Sequence, residues 1–154
     1  MMLVAIGERI LLTFWIGAMW SVGYVVVPIL FGYLDDRQLA GMLAGEMFTA
    51  VHVIGVICGI VLLAAASTRG SAGRGALKTP QVWILGAMLL VILVQFVVEP
   101  MMGHLKAQGL AEGTTQAAQF AKLHGFASII YLINSVLGLV LVVLAARDTR
   151  LRAA

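Results

Sequence analysis

Charged residues make up only 11% of this 154-residue chain, while 62% are hydrophobic and the mean hydropathy is +1.04. A soluble domain carries about 25% charged residues, so this inventory cannot build a water-facing surface, and a soluble domain is excluded. Cysteine occurs once, at Cys58, which excludes an internal disulfide and leaves a small packing residue as its natural role. Histidine occurs three times, and none stands in an H-x-x-x-H, E-x-x-H or C-x-x-C spacing that would mark a metal site. No activated nucleophile, phosphate loop or nucleotide fingerprint is found, so no enzyme class is assigned. Internal repeats and low-complexity tracts are absent as well.

What is present is four charge-free runs, at 10–34, 47–68, 79–98 and 125–146. Each approaches or exceeds the ~20 residues that cross ~30 Å of hydrocarbon at ~1.5 Å per residue. Backbone amides at that depth must be satisfied within the segment, so the runs are helices. The expectation is an all-α polytopic membrane protein, an antiparallel bundle of four transmembrane helices. Its spans are placed at about 10–32, 44–67, 80–100 and 119–146 within a single domain 1–154. Glu8 and Arg9 precede an uncharged run too long for a signal-peptide core, so the first span is expected to stay in the protein. Gly109 and Gly113 break the last connection, and Thr114 or Thr115 is expected to N-cap a fourth helix that begins outside the bilayer.

Four spans place both chain ends and the 67–79 loop on one side. That side collects Arg9, Arg69, Arg74, Lys78, Arg147, Arg150 and Arg152, against Arg37, Lys106 and Lys122 opposite. The positive-inside rule makes the first side cytoplasmic, in a bacterial inner membrane. The net charge of +3 is therefore read as a topology signal. A nucleic-acid partner is not expected, and membrane lipid is.

Helical spacing sorts the polar residues by face. Span two carries Gly41, Gly45, Gly55 and Gly59 at G-x-x-x-G spacing, which lets helix backbones approach closely. The stripe Gly45, Phe48, His52, Gly55, Gly59 steps by three and four, so His52 faces a neighbouring helix. Packing within the bundle is the first use of these glycines; a homo-oligomer or a larger membrane complex is the second. Span one presents Trp20, Tyr24, Pro28 and Phe31 on one face, as core or as a pocket wall, with Pro28 expected to kink or end the helix. Span three offers Gln95 and Glu99, followed by Pro100. Span four has His124, Ser128, Tyr131 and Ser135 on one line, with Asn134 beside it.

Depth then gathers these groups. Counted from the cytoplasmic boundaries, Tyr24, His52, Glu99, Ser128, Glu46 and His124 fall in a slab roughly 12 Å thick near the outer surface. An outward-opening pocket is expected there, built from His52, Gln95, Glu99, His124, Ser128, Trp20, Tyr24 and Glu46. Imidazole and carboxylate together suit a transition metal, with His52, Glu99 and His124 as candidate ligands. Haem held by His52 and His124 would need the two at nearly equal depth, whereas the count separates them by about 10 Å along the membrane normal. The cofactor is left open; nothing in the sequence requires one. Three uses of these atoms remain: binding of a small ligand or ion, a haem- or metal-linked redox protein, and an assembly partner of a larger complex.

The pattern W-x-G-x-x-W-x-x-G-Y-x-x-x-P-x-L-F from Trp15 to Phe31, G-x-x-x-G-x-M-F at Gly41 to Phe48, the pair Glu99-Pro100 and L-H-G-x-x-S from Leu123 to Ser128 resembles the transmembrane-protein-205-like family. Many bacterial members of that family are grouped as a domain of unknown function. More distantly the chain is similar to the superfamily of copper-resistance D-type proteins and the HemJ-type protoporphyrinogen oxidase. The resemblance implies a four-helix membrane fold and supplies no activity.

Overall fold

The computed structural model describes residues 2–68, 79–111 and 113–153, and side chains only at 4–67, 79–111 and 113–147 within these. The connection between spans two and three therefore lies outside the described residues, apart from its flanks. The described chain is helical: α1 (Met2–Ser21), a π-helical turn (Val22–Val26), α2 (Val27–Tyr33), α3 (Arg37–Thr68), α4 (Pro80–Ala107) and α5 (Thr115–Ala153). Four stretches are long and apolar enough to cross a membrane: Val4–Tyr33, Arg37–Ser67, Pro80–Ala107 and Thr115–Arg147. Each is longer than the span expected from its charge-free run. At 1.5 Å per residue the 28-residue Pro80–Ala107 helix is about 42 Å long, well beyond ~30 Å of hydrocarbon. The surplus turns carry polar side chains into the headgroup region.

Local signals explain most of the boundaries. Asp36 caps α3, its Oδ1 accepting from the amides of Gln38 and Leu39 at 2.8 and 3.1 Å. Thr114 caps α5, its Oγ1 accepting from the Ala117 amide at 3.2 Å, as the sequence led us to expect. Gly109 and Gly113 hold φ of +88° and +81°, a backbone region that side chains with a Cβ avoid, and so turn the chain between α4 and α5.

Two prolines act differently from expectation. Pro28 does not end span one; it follows directly on the π turn at Val22–Val26, which breaks the α-helical register where a proline lacks its N–H and crowds the preceding turn. Pro100 lies inside α4, which runs on to Ala107. Surrounding packing holds the helix through a position that propensity alone would make its end.

The helices close a ring: α1 packs on α3 and α5, α3 on α4, and α4 on α5. The chain reverses between successive spans, so all neighbours are antiparallel. The core comprises Leu12, Trp15, Ile16 and Met19 of α1, Val51 and Cys58 of α3, and Leu85, Met88 and Ile92 of α4, closed by Tyr131 and Leu141 of α5. Trp15 is 1% exposed, and Gly55 makes room for it. A Cβ at Gly55 would stand 2.6 Å from Trp15 Nε1 and 2.7 Å from Ile92 Cδ1. Gly59 likewise receives Leu89, whose Cδ2 would be 2.5 Å from a Cβ there.

The upper half of the same stripe has another use. At Gly45 a Cβ would meet nothing within 4 Å, and at Gly41 only the Lys106 ammonium and the Phe31 ring edge come near. The four glycines thus divide between close packing and open space.

Candidate functional site

That open space is a cavity of about 890 Å³ at the end of the bundle that holds the 34–36 and 108–114 connections. Every span contributes to its wall, through Tyr24 and Phe31, Gly45 and His52, Gln95 and Glu99, and Ala127 and Tyr131. Apolar and aromatic side chains dominate, with a few polar groups set among them, as in small-molecule sites generally.

The polar centre is His52 with Glu99. Nδ1 of His52 lies 2.9 Å from Oε1 of Glu99, with the side chains 3% and 17% exposed. The approach lies off the ring N–H direction, so it is a close imidazole–carboxylate contact rather than a well-aligned hydrogen bond, and Nε2 is buried with no hydrogen-bond partner. Three rings enclose the imidazole: Phe48 stacks at 6.5 Å, while Phe96 and Tyr131 meet it edge-on at 5.9 and 6.3 Å. On the other carboxylate oxygen, Thr49 Oγ1 stands 3.1 Å from Glu99 Oε2 and 3.1 Å from the Gly45 carbonyl. Its one proton is shared between two acceptors, which ties the carboxylate to the α3 backbone.

Around this pair Gln95 is buried and donates from Nε2 to the Ala127 carbonyl at 3.0 Å. Tyr131 donates its hydroxyl to the Met19 carbonyl at 2.6 Å, and Gly23 in the π turn is what lets the ring approach. A Cβ at Gly23 would lie 2.5 Å from Tyr131 Cε1. Tyr131→Phe is expected to lower stability by about 1 kcal/mol, the usual net value of one buried hydrogen bond. Thermal unfolding in detergent would measure it, and a shift several times larger would mean that the hydroxyl braces the whole π turn.

At the mouth His124 stacks on Phe120 at 5.8 Å and 9°. Ser128 is exposed and its hydroxyl donates to the His124 carbonyl at 2.8 Å. Lys106 is part-buried; it donates to the Gly41 carbonyl at 3.1 Å and its ammonium lies 5.6 Å from the Phe120 ring centroid.

Of the eight residues singled out from the sequence, His52, Gln95, Glu99, Tyr24, His124 and Ser128 line this cavity. Trp20 and Glu46 stand outside its wall, and both misplacements have a rotational cause. The π turn after Ser21 widens one turn of span one, so residues beyond it are rotated relative to Trp20. Trp20 meets Tyr24 at a tilt, with centroids 5.0 Å apart, but aims its indole N–H at the Ser135 carbonyl, 3.3 Å away. Glu46 follows Gly45 by one residue, about 100° round the helix, and is exposed on the outer face. Its azimuth, not read in the depth count, keeps it off the wall. Thr49 was overlooked although it shares the face of Gly45 and His52. Lys106 was missed because α4 was expected to end at Pro100.

Among the described residues no three His, Cys, Asp or Glu side chains come together as a metal site. His52 and Glu99 make a pair that His124, stacked on Phe120 at the mouth, does not join.

These features define a multi-pass membrane protein with a cavity at one end of a four-helix bundle. The chain belongs to the family described as a domain of unknown function (DUF4149), which it matches over residues 10–111. The match ends just past α4, so the α5 wall of the cavity lies beyond it. No curated protein and no solved structure matches the chain. Nothing in these comparisons links it to transmembrane-protein-205-like or copper-resistance D-type proteins.

Proposed function

We propose that this protein is a non-enzymatic membrane protein that binds a small ligand in the cavity closed by His52 and Glu99. The observation that carries the reading is the position of that pair. It lines a cavity of about 890 Å³ within helices that are predominantly apolar. Ionisable side chains inside membrane segments are costly, and they persist where they face a cavity and serve a function. The donor set favours hydrogen bonding and ion pairing over metal ligation. It also does not fit haem, for which His52 and His124 would both have to face one iron. Gly55 and Gly59 are filled from within the bundle, so an assembly role has only part of the glycine stripe to use.

The bias of basic residues supports an orientation with both chain ends in the cytoplasm of a bacterium and the cavity opening on the far side of the inner membrane. One experiment tests cavity and orientation together. In a Cys58→Ala background, Gly45→Cys should react with a membrane-impermeant maleimide added outside intact spheroplasts. Labelling only after the membrane is opened would reverse the orientation, and no labelling even in detergent would remove the cavity. Elemental analysis and an absorption spectrum of the purified protein add an independent check. A stoichiometric metal or a Soret band would overturn the non-redox reading.

A further inference from the structure

The cavity has a side as well as a mouth. α1 packs against both α3 and α5, whereas the π turn and α2 lie with their backbones against α3, and the π turn meets α5 only through the Tyr131 ring seated on Gly23 and beside Tyr24. Past Tyr131, which is held by the Met19 carbonyl and seated on Gly23, the backbones of span one and α5 have separated. Tyr24 still reaches across to Tyr131, ring to ring at 6.2 Å. Beyond that brace Val27 and Phe31 on α2 face the cavity from one edge, and Ser128 and Leu132 on α5 from the other. Phe31 is 41% exposed and Leu132 54%. In a membrane this gap in the ring of helices opens onto lipid.

The charge at the mouth selects what can lie there. Lys106 is part-buried and its ammonium is met by a carbonyl and a ring face. Neither neutralises it, and among the described residues no carboxylate forms an ion pair with it. Arg37 lines the same mouth. The nearest acid on the wall, Glu99, is already engaged deeper by His52 and Thr49. Arg37 opens α3 and Lys106 lies in the last turn of α4, the level at which lipid headgroups sit and at which basic residues attract anionic ones. An anion at Lys106 leaves an apolar path leading from it along Phe31 and Leu132 into the bilayer.

The geometry points to a bilayer amphiphile as the ligand: an anionic head group held at Lys106 and Arg37, with a hydrocarbon tail lying in the cleft between α2 and α5. Entry is sideways from the membrane rather than through the aqueous mouth. This inference rests on the cavity reading above and names its ligand class.

The test uses the full chain in an uncharged maltoside detergent, with binding read by native mass spectrometry. Three probes separate head group, tail and source: lysophosphatidylglycerol, lysophosphatidylcholine and free glycerol 3-phosphate. Lysophosphatidylglycerol should bind at least about tenfold more tightly than either of the others, because it alone offers an anionic head without a fixed cation together with a tail. Lys106→Ala should remove most of that preference and Lys106→Arg should keep it. Leu132→Trp should weaken the lysolipid by filling the cleft; Val27→Trp, from the opposite edge, serves if that variant does not fold. Equal binding of the two lysolipids, or an unchanged preference in Lys106→Ala, would overturn the anionic head. Glycerol phosphate binding as tightly as the lysolipid would overturn the lateral tail and make the ligand water-soluble. If Gly45→Cys is labelled yet no probe binds, the amphiphile fails while the cavity stands; if Gly45→Cys is never labelled, the cavity reading itself has failed.

Discussion

Gly55→Val should be among the most damaging substitutions in the bundle, and Gly45→Ala, ten residues earlier in the same stripe, should be nearly silent toward stability. At Gly55 even a Cβ would come within 2.6 Å of Trp15 Nε1 and 2.7 Å of Ile92 Cδ1. Neither neighbour has room to yield, since both side chains are 1% exposed. Overpacking of one methylene in a dense core costs about 1–3 kcal/mol, and valine adds more than one. At Gly45 a Cβ meets nothing within 4 Å, and alanine is the better helix former by roughly 1 kcal/mol. Retention of the monodisperse peak after heating in detergent reads both variants. Gly59→Val should behave like Gly55→Val, because Leu89 occupies its groove. Equal tolerance at Gly45 and Gly55 would mean that α1 and α3 are not packed as described.

Removal of one partner of the central pair is the second large effect. Glu99→Leu leaves His52, 3% exposed, without its acid and leaves Thr49 with only a backbone acceptor. His52→Leu leaves a carboxylate in an apolar wall. Leaving a buried polar group without its partner costs about 1–3 kcal/mol, more when that group is charged. The 17% exposure of Glu99 puts this case toward the lower end, because the cavity admits some solvent to the carboxylate. The double variant His52→Leu/Glu99→Leu should recover most of the lost stability, because two apolar side chains of suitable size carry no unmet charge. Recovery of stability together with persistent loss of ligand would show that the pair is kept for binding. Full binding by a stable double variant would show instead that the pair is structural.

The all-α class, the presence of four spans and the even-numbered topology were legible in residue order alone. Water-to-lipid transfer acts on each segment separately, so a run such as 125–146 declares itself without reference to any partner. The Thr114 cap and the Gly109 and Gly113 turn were local in the same sense. Helical spacing also placed His52 on a packed face and Gln95 on the face of Glu99, and counted depth drew Tyr24, Glu99 and Ser128 to one level.

Azimuth and packing were decided by the tertiary structure. The π turn at Val22–Val26 is signalled in the sequence only by Gly23 and the following Pro28, neither of which tells the direction of the rotation that turned Trp20 away from the cavity. Continuation of α4 through Pro100 came from contacts with α3 and α5, and it carried Lys106 to the mouth. The division of one glycine stripe into a packed half and an open half depends on which side chains stand opposite: Trp15 and Leu89 below, the cavity above. Depth and face follow from a single helix, whose rise and period are constants of the backbone. Whether two groups at one depth meet depends on how four helices rotate against one another, and that is a property of their mutual packing.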